Sequence, residues 1–242
     1  MIKFFRKIRY DLMETGKTGK YLKYAIGEIL LVVIGILIAL WINNKNQEYT
    51  NSKIARTYLA DFKRDLEADI HTLEKNILKN DIMIKNADSI MIASRKKVLS
   101  EKEKNSFLNW VNSLMGETYY VPEKTTIRQF ESSNSSQLIT SKTLKDQLFT
   151  YYTANDVNEN NFEKSIQLYQ HNYLTKDLMK VYKNLGQNST SSNIIAQKFN
   201  DEFDLATAIF FKQNLTTNQN KQYGIFKEKA LDLIKLINSE LE

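Results

Sequence analysis

Residue types that carry metal and acid–base chemistry are scarce in this chain of 242 residues, which contains two histidines and no cysteine. One group has the spacing of metal ligands: Glu67, His71 and Glu74. On a helix these positions share one face, as carboxylate and imidazole ligands do in helical bundles. That face is not the apolar face of the segment. We therefore interpret it as a solvated charged surface rather than a metal site.

The remaining polar groups do not have the spacing of a catalytic or nucleotide site. His171 has no acid within four residues, and the serines of 132–136 have no neighbouring base. Gly16-Lys17-Thr18 is similar to the end of a phosphate-binding loop, but Asp11 stands where that loop needs its first glycine. The sequence therefore predicts no catalytic, cofactor-binding or metal-binding residue, and a protein that is not an enzyme.

Glu28 is the most unusual ionisable residue, because it is the single charge in the apolar run 24–42. A carboxylate costs about 2.5 to 3.5 kcal/mol at the centre of a bilayer, and less near an interface. Glu28 could simply reach the headgroups or neighbouring basic residues. Alternatively, it belongs to an interaction site within the membrane. Helical spacing places Glu28, Gly35 and Ala39 on one face, and the two small residues permit close approach of a second helix.

The run 24–42 itself predicts a transmembrane helix. Its 19 residues rise roughly 28 Å as an α-helix, which is close to the hydrocarbon thickness of a bilayer. Tyr24 and Trp41 lie near its ends, where interfacial aromatic residues are expected. A cleaved signal peptide and a buried core helix are the alternatives. A signal peptide has a shorter apolar region, and Ala39-Leu40-Trp41 is a poor cleavage site.

Basic residues are distributed unevenly about this run, since residues 1–23 contain seven Lys or Arg and two acids. Because positive residues remain on the cytoplasmic side, we predict a cytoplasmic N-terminus, an inner-membrane span and a periplasmic domain. Apolar residues of the first segment recur at helical spacing. The basic residues between them are Lys3, Arg6, Lys7 and Arg9. They predict either an amphipathic helix on the anionic leaflet or a topology signal without a further role.

Composition also restricts the fold and the partners. Beyond residue 23 there are 27 basic and 26 acidic residues, so the net charge of +6 is local and predicts no nucleic-acid partner. The chain has seven Gly and one Pro, which is too few for the frequent turns of a β-sandwich or barrel. These features favour an all-α fold.

Apolar residues continue at helical spacing after the span, from Leu59 through Ile77, and predict a long stalk helix that ends near residue 97. The predicted apolar stripe is Leu59, Phe62, Leu66, Ile70, Leu73 and Ile77, with Asp61, Lys63, Arg64, Asp65, Glu67 and Lys75 on the opposite side. Ser100 and Glu103 have the spacing of a capping box, which predicts the start of another helix, ending at Gly116.

The predicted architecture is a transmembrane helix that continues into the stalk helix, with an outer antiparallel helical bundle. The further predicted helices lie near 125–130, near 140–185 as one long helix or two abutting helices, near 193–213 and near 218–241, and a turn interrupts the chain at 132–136. The predicted domains are a cytoplasmic basic segment, 1–23, the transmembrane helix, 24–42, and an extracytoplasmic helical domain, 43–242.

Two stretches resemble a known family. Residues 24–29 and 35–40, followed by Ile42-Asn43-Asn44, match the pattern YAIGEI, GILIAL and INN, which opens a bacterial family of membrane-anchored proteins of Bacteroidota-type envelopes. Lys45 replaces the family's usual Trp. Residues 126–133 resemble a later segment with a Ser-Ser-Gly turn, where Asn134 replaces the Gly. The family is catalogued as a domain of unknown function, so the resemblance implies a single-span envelope protein and supplies no catalytic residues.

We expect a non-enzymatic, membrane-anchored protein for interaction or sensing. Its expected partners are the lipid bilayer and either itself or another envelope membrane protein. The alternative is an accessory subunit of an ion-driven envelope complex that uses Glu28, because one span with one intramembrane acid is similar to the layout of stator subunits. A hydrolase with an unrecognised site is the third interpretation.

Overall fold

A computed structural model describes Arg6, Tyr10 and residues 18–96, 98–133, 135–176 and 203–242. These residues form helices and connections without a β-strand, so the predicted all-α fold is confirmed. The chain divides into two compact units, Met1–Ala55 and Arg56–Glu242.

The described α-helices are α1 (Thr18–Ser94), α2 (Glu101–Leu114), α3 (Thr125–Ser132), α4 (Lys142–Asn158), α5 (Lys164–Tyr169) and α6 (Phe203–Leu241). A 3-10 turn, Ser135–Leu138, precedes α4, and π-helical turns, Glu159–Glu163 and Gln170–Leu174, flank α5. The predicted long helix is thus confirmed, although it ends at Ser94 rather than near residue 97. The part of the predicted helix 140–185 beyond residue 176 lies outside the described residues, as do 193–202.

Three short-range predictions of helix ends are confirmed. Ser100 caps α2 by accepting a hydrogen bond from the backbone of Glu103, whose side chain accepts one from the backbone of Ser100. The helix ends at Leu114, two residues before Gly116. α3 ends at Ser132, within the predicted turn.

The part of α1 within the first unit, 18–55, is apolar and exposed over most of the predicted span. The aliphatic and Trp side chains of 26–42 are 44 to 66% exposed. Beyond them the helix is polar and makes local contacts, such as the ion pair of Lys45 and Glu48 at 2.7 Å. The first stretch is long and apolar enough to cross a membrane, whereas the second has the polar surface of a helix in water.

In the second unit α1 buries a residue at alternating spacings of three and four. This set, which we call the α1 seam, consists of Leu59, Phe62, Leu66, Asp69, Leu73, Asn76, Asn80, Met83, Ala87, Ile90 and Ser94. The predicted apolar stripe is confirmed, since Ile70 and Ile77 are partly buried and pack against the same core as the seam, which follows a period of 3.5 residues. The prediction was wrong for Asp65, placed on the opposite side of the helix, which is 5% exposed.

Helix α6 is antiparallel to α1 in this unit. Residues near the end of α6 contact the beginning of this part of α1, and residues near the start of α6 contact its end. The pairs are Lys63 with Asn238, Glu74 with Lys227, Asp81 with Asn220, and Asp88 with Gln213. The prediction of separate helices near 193–213 and 218–241 was wrong, since α6 passes through 214–217 without a break.

The core consists of two apolar clusters. The first contains Leu59, Phe62, Leu66 and Leu73 of α1, with Tyr151 of α4 and Phe226 of α6 among its further members. The second contains Ala87, Ile90, Phe107, Val111, Leu114 and Ile209. Between them, along both α1 and α6, lies a polar layer, which consists of Asn76, Asn80, Thr118, Glu163, Gln170, Lys212, Thr216 and Gln219. Each of these side chains is at most 8% exposed, so hydrogen bonds must offset the cost of its burial.

Candidate functional site

The most unusual buried group is the carboxylate of Asp69 on the α1 seam, which is 3% exposed. Its Oδ1 accepts a hydrogen bond from the backbone N–H of Glu123 at 2.9 Å. Its Oδ2 accepts one from the hydroxyl of Tyr151, also at 2.9 Å. The hydroxyls of Tyr151 and Tyr120 are 2.7 Å apart, so two tyrosines and one carboxylate form a continuous hydrogen-bonded chain.

Three elements bring these groups together. The α1 seam directs Asp69 inward, the connection between α2 and α3 supplies Tyr120 and Glu123, and α4 supplies Tyr151. The ring centroid of Phe226 on α6 lies 6.3 Å from the rings of both tyrosines. Apolar packing therefore surrounds the hydrogen-bonded chain and excludes water from it.

Burial is the principal influence on the charge of Asp69. It raises the pKa of this carboxyl from its usual 3.8 to about 6, although the hydrogen bonds from Glu123 and Tyr151 act in the opposite direction. The negative charge of Asp65, one turn earlier, raises the pKa further. Asp69 therefore gains or loses a proton under mildly acidic conditions, unlike an ordinary aspartate.

The same burial raises the pKa values of Tyr120 and Tyr151 well above the usual range. Both hydroxyls consequently keep their protons at any physiological pH and remain available as hydrogen-bond donors. Tyr152 lies next to them, and its hydroxyl is buried without a hydrogen-bond partner in the described structure. A buried unsatisfied hydroxyl is a cost to the fold.

The polar layer centres on Gln219 of α6. Its amide Nε2 lies 2.8 Å from Glu163 Oε2 and 2.8 Å from the Tyr223 hydroxyl. The hydroxyl of Tyr223 donates in turn to Glu163 Oε1 at 2.8 Å. On the other side Gln219 Oε1 accepts hydrogen bonds from Asn80 at 3.2 Å and from Thr118 at 3.1 Å. The layer thus joins α1, the α2–α3 connection, the first π-helical turn and α6.

Two members of this layer lie at the ends of the π-helical turns. Glu163 ends the first turn and Gln170 begins the second, and each is 1% exposed. Turns of this kind are rare and frequently occur at functional sites.

Lys212 is a buried cation at the edge of the layer, 2% exposed. Its ammonium group donates to the carbonyl oxygen of Gly116 at 3.3 Å, just after the C-terminus of α2, where carbonyl groups are free to accept. Gln170 donates nearby, to the carbonyl of Leu114 at 3.1 Å. Burial lowers the pKa of Lys212 to about 8, against a smaller opposing effect of Glu117.

One surface groove adjoins the buried carboxylate chain. It is about 280 Å³ in volume and lies between α4 and α6, lined by Gln147, Thr150, Tyr151, Lys229, Asp232 and Leu233. Tyr151 thus donates its hydroxyl hydrogen to Asp69 and also lines the groove. The groove is small for a drug-sized ligand.

The predicted charged face of α1 is at the surface. Glu67, His71 and Glu74 are all exposed, and Glu74 pairs with Lys227 of α6 at 3.1 Å. Within the described ranges, no three His, Asp or Glu residues form a group that could hold a metal ion. His171 is also exposed and lies 3.8 Å from Glu117.

The predicted membrane residues lie on the exposed part of α1. Glu28 is half-buried in a shallow depression with Ala25, Ile29, Val32 and Val33, whereas Gly35 and Ala39 are exposed. A Cβ atom added at Gly35 would meet no other atom within 4 Å. Arg6 is exposed, and Lys3, Lys7 and Arg9 lie outside the described residues. The described structure brings no other segment onto this face.

One described helix, Leu22–Ser94, contains a stretch long and apolar enough to cross a membrane, and none of that stretch is buried. A buried core helix was one alternative to the predicted span. A core helix buries its apolar side chains against neighbouring elements, and these side chains remain exposed. The structure therefore does not support the interpretation of this stretch as a buried core helix.

Sequence reasoning missed Asp69, Tyr120, Tyr151 and the whole polar layer. One signal was present for the α1 members, because Asp69 and Asn76 lie seven and fourteen residues after Phe62, at the alternating spacing of the apolar residues. A polar residue at such a position predicts a buried polar group. Its partners could not be predicted, since Tyr151 lies 82 residues away.

Comparison with known proteins gives one match. Residues 28–143 match the model of DUF6090, a family of unknown function, and this confirms the resemblance to a family catalogued in that way. Asp69, Tyr120 and Glu123 lie within the matched stretch and Tyr151 lies beyond it. No curated protein and no solved structure matches the chain.

Proposed function

We propose that this chain, whose matched family supplies no activity, is a membrane-anchored interaction or sensing protein and not an enzyme. In this proposal residues 24–42 cross the inner membrane once. Residues 43–242 lie in the periplasm and recognise another envelope protein, a ligand or a second copy of the chain through helix faces. Lipid and an envelope membrane protein are the proposed partners.

The exposed apolar surface of α1 is the observation that carries the proposal. Thirteen large apolar side chains between residues 26 and 42 would have to be hydrated if this stretch were in water, at a cost of roughly 25 cal/mol for each Å² of apolar surface. Their exposure of 44 to 66% supports a surface that lipid covers in the cell. The seven basic residues of 1–23 favour the cytoplasmic side for that segment.

The character of the second unit supports recognition rather than catalysis. Three of its strongly perturbed groups, Asp69, Lys212 and Tyr223, are enclosed in the core, where a substrate could not reach them. Catalytic groups need contact with the reacting atoms, whereas buried networks of this kind fix the arrangement of helices. The exposed faces of the helices are then the surfaces left for partners.

Membrane anchoring is tested with the full-length chain and two lysine variants. We expect the wild-type protein to remain in the membrane fraction after extraction with alkaline carbonate. Val33→Lys places a charge near the centre of the span, at a cost of about 3 kcal/mol, and we expect it to reduce the membrane-bound fraction. Ile54→Lys, on the same helix beyond the span, is the matched control and should behave as wild type.

Recovery of wild-type protein from the soluble fraction without detergent would contradict the anchor. Topology is tested separately by a C-terminal alkaline phosphatase fusion, which is active only outside the cytoplasm. An inactive fusion of normal abundance would contradict the periplasmic placement while leaving the anchor intact.

The predicted interaction face is tested by crosslinking, which the chain permits because it has no native cysteine. Gly35→Cys should give a disulfide-linked dimer or an adduct with another membrane protein. Leu37→Cys is the control, because its side chain points about 200° around the helix from position 35. Equal crosslinking of both variants, or none from either, would remove this face from the proposal.

The half-buried Glu28 favours a second candidate, an accessory subunit of an ion-driven envelope complex. In that case Glu28→Gln should abolish a proton-dependent phenotype while protein abundance stays unchanged. Normal function of this variant would leave the anchored interaction protein as the better proposal.

A further inference from the structure

We propose that Asp69 is a proton-binding site in the core of the second unit, and that binding of the proton strengthens the fold. The inference rests on the arrangement of groups around this side chain. It does not depend on the proposed membrane topology or on the identity of a partner.

The described groups that hydrogen-bond to Asp69 or act on its charge are neutral or negative. On its own helix the group that acts on its charge is Asp65, one turn away, and α6 presents the uncharged ring of Phe226 to both tyrosines of the chain. The α2–α3 connection presents Tyr120 and the backbone N–H of Glu123, and α4 presents Tyr151 and Tyr152. No lysine, arginine or histidine pairs with Asp69 among the residues that the structure describes. A carboxylate that is 3% exposed and lacks a cation is stabilised by a proton.

Asp65 has different surroundings, although it is buried to a similar degree. Its Oδ1 lies 4.0 Å from Nε of Arg64, and its Oδ2 is 3.4 Å from the backbone nitrogen of Thr126. Asp65 thus has a cation beside it, whereas no cation pairs with Asp69 among the described residues.

The hydrogen-bonded chain can accommodate either state of Asp69 without movement of its heavy atoms. When Asp69 is ionised, Tyr151 donates to it and can accept from Tyr120. When Asp69 is protonated at Oδ2, the new hydroxyl can donate to the Tyr151 oxygen, and Tyr151 then donates to Tyr120. Only hydroxyl hydrogens rotate, because a tyrosine hydroxyl both donates and accepts.

The direction in which pH changes the stability follows from the thermodynamic linkage between protonation of Asp69 and folding. Burial raises the pKa of Asp69 in the folded state to about 6, against 3.8 for an ordinary aspartate. Between these pH values the folded state binds more protons than the unfolded state, so stability falls as pH rises through this window. We expect the contribution of Asp69 to make the folding equilibrium constant about tenfold larger at pH 5 than at pH 7.

The test is urea denaturation of the full-length chain in detergent at pH 5 and pH 7, followed by the fluorescence of Trp110, with Trp41→Phe in every variant. Other carboxylates also titrate in this range, so the ratio of folding constants at the two pH values is compared between variants. Asp69→Asn retains an acceptor for Glu123 N–H and gains a donor for Tyr151, which imitates the protonated state. We expect the ratio of folding constants at pH 5 and pH 7 to be about tenfold smaller for Asp69→Asn than for wild type.

Asp61→Asn is the matched control on the same helix, because Asp61 is partly exposed and pairs with Arg64 at 3.0 Å. It should retain the wild-type ratio. Equal ratios for Asp69→Asn and wild type would overturn the proposal. If Asp69→Asn does not fold, Tyr151→Phe serves instead. Loss of this donor to the ionised carboxylate should move the titration to higher pH, and an unchanged titration would equally overturn the proposal.

Discussion

At the scale of single residues, buried hydroxyl groups in this protein differ in whether their hydrogen bonds are made. The Tyr223 hydroxyl donates to Glu163 and lies 2.8 Å from the Gln219 amide, whereas the buried Tyr152 hydroxyl has no partner in the described structure. Removal of a buried polar atom is costly when its partner is left unsatisfied and inexpensive when it had none. Two Tyr→Phe substitutions therefore have opposite expected outcomes.

We predict that Tyr223→Phe lowers the free energy of unfolding by about 2 kcal/mol, because the buried Glu163 carboxylate loses a donor. Tyr152→Phe should leave the free energy of unfolding within about 0.5 kcal/mol of wild type, or raise it. Chemical denaturation of both variants under one set of conditions is the measurement. A larger loss from Tyr152→Phe than from Tyr223→Phe would show that the hydroxyl of Tyr152 has a partner, such as a buried water.

Residue-scale prediction from the sequence was confined to local interactions. The capping box of Ser100 and Glu103 could be predicted because its groups lie three residues apart. Its helix end is reinforced by an ion pair of Glu103 with Lys96, and this pairing lowers the pKa of Glu103 to about 2. The partners of Asp69 are separated from it by 54 and 82 residues, so only the fold identifies them.

At the scale of elements, the two faces of α1 differ in their contribution to stability. Leu66 belongs to the α1 seam and is fully buried, whereas Leu78 on the same helix is 64% exposed. We predict that Leu66→Ala lowers the free energy of unfolding by about 2 to 5 kcal/mol, because it leaves a cavity in the first apolar cluster. Leu78→Ala, the same chemical change, should cost at most about 0.5 kcal/mol.

Denaturation midpoints of these two variants at one pH provide the measurement. Similar losses would mean that a contact covers Leu78 in solution. That result would identify the exposed face of α1 as an interface, since the described chain does not cover it.

Helix α6 illustrates why element boundaries were harder to predict than element types. The segment Asn214-Leu215-Thr216-Thr217 contains residues that favour turns, so the sequence indicated a break there. In the structure Thr216 and Thr217 instead donate to the carbonyl oxygens of Lys212 and Gln213, four residues earlier, at 2.8 Å each. Packing against α1 on both sides of the segment determines the outcome, and local propensity does not.

At the scale of the whole molecule, Lys212 predicts an unusual response to alkaline pH. Its folded-state pKa of about 8 lies below the usual 10.5, so the unfolded state binds more protons between these values. Stability therefore rises with pH through this window. We predict a contribution of about 2 kcal/mol between pH 8 and pH 10 in the free energy of unfolding of the full-length chain.

Lys212→Met should abolish this rise, and Lys221→Met, at an exposed position of the same helix, should preserve it. Each variant is compared with wild type at the same pH, because the tyrosines whose pKa values are raised from 10 act in the opposite direction as pH approaches that value. Parallel slopes for wild type and Lys212→Met would show that the buried amine does not change its charge there.

The all-α class and the apolar span followed from composition and from one run of residues, both of which are properties of the sequence alone. The polar layer did not follow from them. It combines Glu163 and Gln170, which lie at the ends of two π-helical turns, with Thr118 from the α2–α3 connection. These features arise where distant elements meet, and a pattern of hydropathy in one segment does not contain them.

The regular spacing of the α1 seam has one more consequence. Over the 36 residues from Leu59 to Ser94 its buried positions repeat every seven residues. An ideal straight helix would drift by about 20° per repeat, so its last buried positions would turn away from the partner helices. The repeat therefore predicts that this part of the helix coils about its partners in a left-handed sense, and that insertions into it are tolerated in sevens rather than singly.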